Sequence, residues 1–334
     1  MKLLLGLLML SFFMTGAFLV PFIDLLFKLK RKFERHSHLK TSETPIHDNL
    51  MKGDVSTPSG GGILLIALLV ILSLSYGFFI QEENKLTLFI LIFTLLSFGS
   101  LGFMDDVKLI LTQRQGKFLG LGRRKLFIAQ SILALIIGGL LYFLLGLDNL
   151  YITGVANLQL GIWYIPLAAF IIVSFANAYN ISDGLDGLSS GLLLICLFAF
   201  LALAQTTLDT TLASFIGIWI GALLAFLYFN IWPARIFLGD AGAFGFGATL
   251  AVVGLLTGKI VALGFIGGVF TIIVASSLLQ ILSKKLFKKR ILPVAPIHIY
   301  FRFIGWEEPK IVVRFWLAQS LLAVFGLWIA LLSS

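Results

Sequence analysis

The 334 residues are 59% hydrophobic and 12% charged, with a mean hydropathy of +1.03. Soluble domains are about half apolar and a quarter charged, so a soluble fold of this composition would expose large aggregating patches, which places the chain in a bilayer. The single cysteine, Cys196, excludes a disulfide framework and a Cys-based metal centre, and the net charge of +9 is distributed for membrane topology rather than for nucleic acid.

A membrane-crossing helix needs about 20 apolar residues. Ten stretches qualify, at 3–27, 60–80, 86–104, 126–147, 162–181, 187–205, 211–232, 241–257, 260–282 and 311–332. The first is too long for a signal-peptide core, and no cleavage site follows it. All of the 25 basic residues except Lys2, Lys85, Lys259 and Arg314 fall in the odd-numbered loops. Loops enriched in this way face the cytoplasm. The expected fold is therefore an all-α integral membrane protein of about ten transmembrane helices, with both termini outside. No repeat, low-complexity tract or appended soluble domain interrupts it, so residues 1–334 read as a single polytopic domain. The basic runs 28–35 and 284–290 are accounted for by topology and by anionic lipid headgroups.

Taken in chain order, the polar motifs stand where spans meet these cytoplasmic loops. The third span ends in "GFMDDVK", where the adjacent carboxylates of Asp105 and Asp106 repel unless a cation or base lies between them. The fifth ends in "NAYNISDGLDG". Asn177 and Asn180 share a helical face that Asp183 continues, and Gly184 and Gly187 allow tight turns on either side of Asp186. The seventh ends in "NIWPARIFLGDAGAFGFG", where Pro233 breaks the helix and Asp240 opens a Gly/Ala-rich span. Each feature has a plainer reading: a solvated helix end for Asp105 and Asp106, a helix N-cap for Asp240. Together, at one membrane face, they describe a site for a hard cation and an anionic substrate. Mg2+ prefers carboxylate oxygens and shares its coordination with substrate phosphates, and phosphoryl transfer needs positioning and charge neutralisation. Of four histidines, His36, His38 and His47 lie in the basic first loop. His298 stands apart, as a helix-end residue or a functional one, and the scatter of the four excludes a His-rich zinc centre.

With "KGDVSTPSGGG" (Lys52–Gly62) and "APIHIYFRFIGWEEPKIVVRFW" (Ala295–Trp316) added to the aspartate motifs, the chain resembles the phospho-N-acetylmuramoyl-pentapeptide transferases over nearly its full length. These belong to the polyprenyl-phosphate N-acetylhexosamine-1-phosphate transferase superfamily. The resemblance implies transfer of phospho-MurNAc-pentapeptide from UDP-MurNAc-pentapeptide to undecaprenyl phosphate, giving UMP and lipid I. It also implies Mg2+ dependence, a homodimer and a bacterial cytoplasmic (inner) membrane location. Matched residue by residue, it makes Asp240 the Mg2+ ligand and Asp105 and Asp106 the pair that activates the lipid phosphate. Asn177, Asn180 and Asp183 would line the site. Gly184, Leu185, Asp186 and Phe237 would form the uridine pocket, with Phe237 stacking on uracil, and Asn230 would bind substrate. Lys52 and Thr57 would lie near the nucleoside, Lys108 and Lys125 would meet phosphates, and His298 would supply an essential imidazole. The chain departs from the family pattern in "TPSGGG" and in Ile299 and Tyr300, which replace two histidines. Arg302 stands where an acid is usual, and a helical turn there would bring its charge onto the face of His298. The sibling reading is a transferase of GlcNAc-1-phosphate from UDP-GlcNAc, which "GWEEPKIVVRFW" disfavours. An ion transporter would carry its acids near the membrane midplane, and a degenerate paralogue would lack the aspartates.

Overall fold

The computed structural model describes residues 2–34, 57–79, 82–113, 122–152 and 156–332. The chain runs through α1 (Lys2–Glu34), α2 (Gly61–Gly77), α3 (Glu82–Gln113) and α4 (Arg123–Leu145) to a hairpin of β1 (Asn149–Ile152) and β2 (Ala156–Gln159). Then follow α5 (Tyr164–Ser182), α6 (Leu188–Thr206), α7 (Thr210–Asn230), α8 (Gly239–Leu256), α9 (Ile260–Ile266), α10 (Gly268–Phe287), α11 (Ile297–Phe303) and α12 (Glu308–Leu331). Helices dominate because hydrocarbon offers the backbone no partner, and a helix satisfies its own amides. Among the described residues nine helices are long and apolar enough to cross a membrane, and α2 is a shorter apolar helix of 17 residues. The protein is an all-α, multi-pass membrane protein apart from the small hairpin.

The centre of the bundle is α7 and α8, which are buried along almost their whole length. α1 packs on α7, whereas α3 and α5 pack on α8. Glycine makes the closest of these approaches possible. A Cβ on Gly102 of α3 would lie 2.1 Å from the carbonyl oxygen of Asp240, and one on Gly62 of α2 would lie 2.4 Å from the Cα of Gly242. Three helices are thereby locked together at the entrance of α8.

Among the described residues the expected stretches appear as nine span-length helices plus the shorter α2. One expectation is corrected. The single span expected at 260–282 is instead two helices, α9 and α10, broken at Gly267. The aromatic ring of Phe175 packs where a Cβ of Gly267 would stand. Backbone groups freed at a break inside a bilayer must find side chains. Here the Ile266 carbonyl accepts from Cys196 Sγ at 3.0 Å and from Gln319 Nε2, while Gln319 Oε1 accepts from the Val269 amide at 3.0 Å. The antiparallel hairpin, with Asn149 opposite Gln159 and Leu150 opposite Leu158, was also absent from the sequence reading.

Candidate active site

The acidic half of the site is assembled by the lock at Gly102. Because α3 touches the backbone of Asp240, its last turns bring Asp105 and Asp106 within electrostatic reach of that residue. Gly239 enters α8 with a φ of +82°, and a Cβ there would meet Ser59 Oγ at 2.8 Å. Only glycine takes that turn in that space. Asp106 Oδ2 accepts from the Ala241 amide at 3.3 Å, and Asp240 Oδ1 accepts from Asn180 Nδ2 at 2.8 Å. Asp183 follows α5 directly and accepts a short hydrogen bond from the Ser189 hydroxyl. Burial pushes the Asp183 carboxyl up to about 6. The carboxylates of Asp240 and Asp186 push the same way, against the stabilising Ser189 bond.

The other half is built of loops. The segment before α2 pairs in parallel with the segment before α8, through a bridge between Ser59 and Phe237. The Phe237 amide donates to the Pro58 carbonyl at 2.9 Å, and its own carbonyl accepts from Gly60 and Gly61 at 3.1 and 2.9 Å. Asn230, the last residue of α7, is buried with both amide atoms engaged. Its Nδ2 donates to the Ile236 carbonyl at 3.0 Å and its Oδ1 accepts from Ser190 at 2.9 Å. Ala234 is held at both ends: its amide donates to Asp186 Oδ2 at 2.7 Å and its carbonyl accepts from Thr57 Oγ1 at 3.0 Å. These bonds fix the backbone around Phe237, whose side chain is half-buried.

Of the residues singled out in sequence, Asp105, Asp106, Asn180, Asp183 and Asp240 come together, and Thr57, Asp186, Asn230 and Phe237 form the adjoining loop cluster. Leu185 is buried in that turn. Gly184 adjoins His298, so that a Cβ there would lie 3.4 Å from Nε2. His298 on α11 is 1% exposed, its Nδ1 has no hydrogen-bond partner among the described residues, and burial lowers its pKa to about 3, leaving a neutral imidazole. Asn177 turns elsewhere than Asn180. Its Nδ2 donates to Gln130 Oε1 of α4 and to the Val173 carbonyl, each at 2.8 Å. Lys108 is half-buried one turn beyond Asp105, and Lys125 is exposed in the first turn of α4. Lys52 lies outside the described residues. The expected helical turn around Arg302 is present as α11, yet its guanidinium engages Glu308 at 3.1 Å.

Four side chains escaped the sequence reading: Gln130, Ser189, Ser190 and Glu308. The serines stand in "DGLSSG" (Asp186–Gly191), overlapping the end of the fifth-span motif, where two hydroxyls following two carboxylates were the available signal. For Gln130, a lone amide in an apolar helix was the only one.

Among the described residues no three His, Cys, Asp or Glu side chains converge as a closed metal cage. Such a cage is not what Mg2+ needs, since that ion is commonly held by one or two carboxylates with the rest from water and phosphate. Burial raises Asp183 most, and the nearby carboxylates of Asp240 and Asp186 add a smaller like-charge repulsion that a cation would relieve. The donor set fits the ion.

Residues 88–258 match the family model described as glycosyl transferase family 4, which defines the class: a membrane-embedded glycosyl-phosphate transferase. A phospho-N-acetylmuramoyl-pentapeptide-transferase of Bacillus velezensis is 36% identical over 276 residues, covering 82% of this chain and 83% of its own. The enzyme of the same name from Caldanaerobacter subterraneus subsp. tengcongensis is 35% identical over 311 residues, covering 93% and 92%. That from Bacillus subtilis is 35% identical over 276 residues, covering 82% and 83%. The chain belongs to the phospho-N-acetylmuramoyl-pentapeptide-transferase family.

Proposed function

We propose that this enzyme transfers phospho-MurNAc-pentapeptide from UDP-MurNAc-pentapeptide to undecaprenyl phosphate, releasing UMP and forming lipid I, in the bacterial inner membrane. In the net reaction the bond between the sugar phosphate and UMP breaks, and a bond from the sugar phosphorus to an oxygen of the lipid phosphate forms. The carrying observation is the convergence of Asp106, Asn180 and Asp240 from three helices at one end of the bundle. Positive-inside charge makes that end cytoplasmic, where a nucleotide donor is available. Both termini then face outward, and the protein functions as a homodimer.

The residues divide the work. Asp240, steadied by Asn180, would hold Mg2+, which when bound neutralises charge on the phosphates. Asp105 and Asp106 would orient and deprotonate the lipid phosphate. Asp183 would line the same site, and Lys108 and Lys125 would draw in phosphate charge. His298, neutral in its buried setting, offers an N–H to a diphosphate oxygen. Phe237 presents its ring to uracil, flanked by Gly184, Leu185 and Asp186; Lys52 and Thr57 complete the nucleoside side. An apolar groove of about 310 Å3 lies among α5, α9 and α10, lined by Phe170, Phe175, Leu263, Val274 and Leu278. Because α5 carries both this groove and Asn180, the groove supports a lipid acceptor whose tail stays in hydrocarbon.

Release of UMP from UDP-MurNAc-pentapeptide and UDP-GlcNAc, each with undecaprenyl phosphate, tests the reading. Turnover of the muramoyl donor alone is expected. Preference for UDP-GlcNAc would transfer the protein to the sibling activity.

A further inference from the structure

Outside the carboxylate cluster, one buried acid holds two parts of the site together. Glu308 begins α12, is 8% exposed, and divides its carboxylate between two partners. Its Oε1 accepts from the backbone amide of Asp186 at 2.7 Å, across 122 residues of sequence. Its Oε2 lies 3.1 Å from Arg302 Nη1 on α11. The chain of bonds continues on the far side of the turn. Asp186 Oδ2 accepts from Ala234, Ala234 accepts from Thr57, and the Thr57 carbonyl accepts from Lys30 Nζ at 3.0 Å. Phe237 sits three residues beyond Ala234, its own amide on Pro58.

The energetics give the two partners different tasks. A hydrogen bond from an amide to a carboxylate is about twice as strong as a neutral one, so it fixes the Asp186 turn firmly. A buried carboxylate without a counter-charge is costly, and Arg302 supplies that charge.

We propose that Glu308, charge-balanced by Arg302, is a positioning residue for the donor's nucleotide. It sets the Asp186 turn, the turn sets Ala234, and the Ala234 loop sets the ring of Phe237. This rests on the reading of the Asp186–Phe237 side as the nucleotide pocket.

The test uses the full chain in detergent and two measurements: UMP binding by calorimetry, and donor KM and kcat from UMP release. Glu308→Leu and Arg302→Met should each weaken UMP binding and raise donor KM about tenfold, the size of one charge-assisted hydrogen bond. Both should change kcat and the lipid-phosphate KM less than the donor KM. The double variant Arg302→Met/Glu308→Gln should recover most of the affinity, because a neutral amide oxygen still accepts from Asp186 and leaves no buried charge. That rescue keeps the idea testable if Glu308→Leu does not fold. Unchanged UMP affinity in Arg302→Met, or a double variant no better than Arg302→Met, overturns the positioning role. A wild type that binds no UMP overturns the nucleotide reading itself and the proposal with it, whereas tight wild-type binding with equally tight variants removes only the proposal.

Discussion

The two halves of the site treat their polar groups in opposite ways. Around Phe237 polar groups are matched inside the protein: Asn230 at both ends of its amide, Ala234 at both ends of its peptide, and Thr57 through its hydroxyl. Around Asp240 like charges are gathered instead. Carboxylates from α3, from the turn after α5 and from α8 lie close enough to repel, even with bonds from Asn180, Ser189 and the Ala241 amide, and burial together with that repulsion pushes Asp183 up to about 6. A satisfied backbone makes a rigid platform, suited to a flat ring. A cluster of like charges is held for something positive. The first half should govern affinity and the second chemistry.

The largest break in that division should come from Asp240→Asn. An amide cannot supply the charge that binds the ion, so turnover should vanish while the detergent melting temperature is retained. Substantial residual turnover with the same Mg2+ dependence would show the cluster is not the ion site.

His298 lies between the halves. His298→Ala should lower kcat about 10²-fold, as expected for loss of a positioned hydrogen-bond donor to developing charge. It carries a pH signature too. Its folded pKa of about 3 lies below the unfolded value of 6.5, so the fold favours the neutral ring. Its contribution to stability is therefore complete above pH 6.5 and is lost as pH falls from there towards 3. Thermal melts of His298→Gln should be flatter over that window; a curve parallel to wild type would refute the buried neutral state.

Phe237→Ala should sharpen the contrast from the other side. Stacking on a base is worth about 1–3 kcal/mol, which corresponds to roughly a 5- to 150-fold rise in donor KM. A fall in kcat at constant donor affinity would place the ring elsewhere. The smallest effect belongs to Ile299, which is 3% exposed and packs as core. Ile299→Val should cost about 1 kcal/mol of stability and leave kcat within about twofold. A much larger loss of rate would give that position a part in the chemistry.

Charge next to an apolar run is conspicuous, which is why Asp105, Asp106, Asp183 and Asp240 were legible from sequence and the helices with them. What stayed hidden was the satisfaction of polar groups across the bundle. Nothing near Gly267 in sequence announces that Cys196 and Gln319, each more than 50 residues away, cap a helix break there. The continuous apolar run from 260 to 282 reads as one span for that reason. The hairpin strands have four residues apiece, too few for alternation to register. Asn230 was readable as polar at a helix end, but not as fully engaged by Ser190 and Ile236. Arg302 was expected on the face of His298; its partner Glu308 belongs to a different helix, and only the fold brings the two together.

The short helix α2 has a further consequence. Its 17 residues span about 26 Å at 1.5 Å per residue, a little less than the roughly 30 Å of a typical hydrocarbon core. At one end Phe78 and Phe79 stand 85% and 88% exposed. At the other end Gly60, Gly61 and Gly62 are bonded to the carbonyls of Phe237 and Leu238. A bilayer thicker than this helix strains it at both ends, and one of those ends is the backbone that carries the aromatic platform. Lipid chain length thereby becomes a variable of nucleotide affinity, to be read as donor KM across nanodiscs of increasing acyl length: the membrane is a mechanical component of the site as well as its solvent.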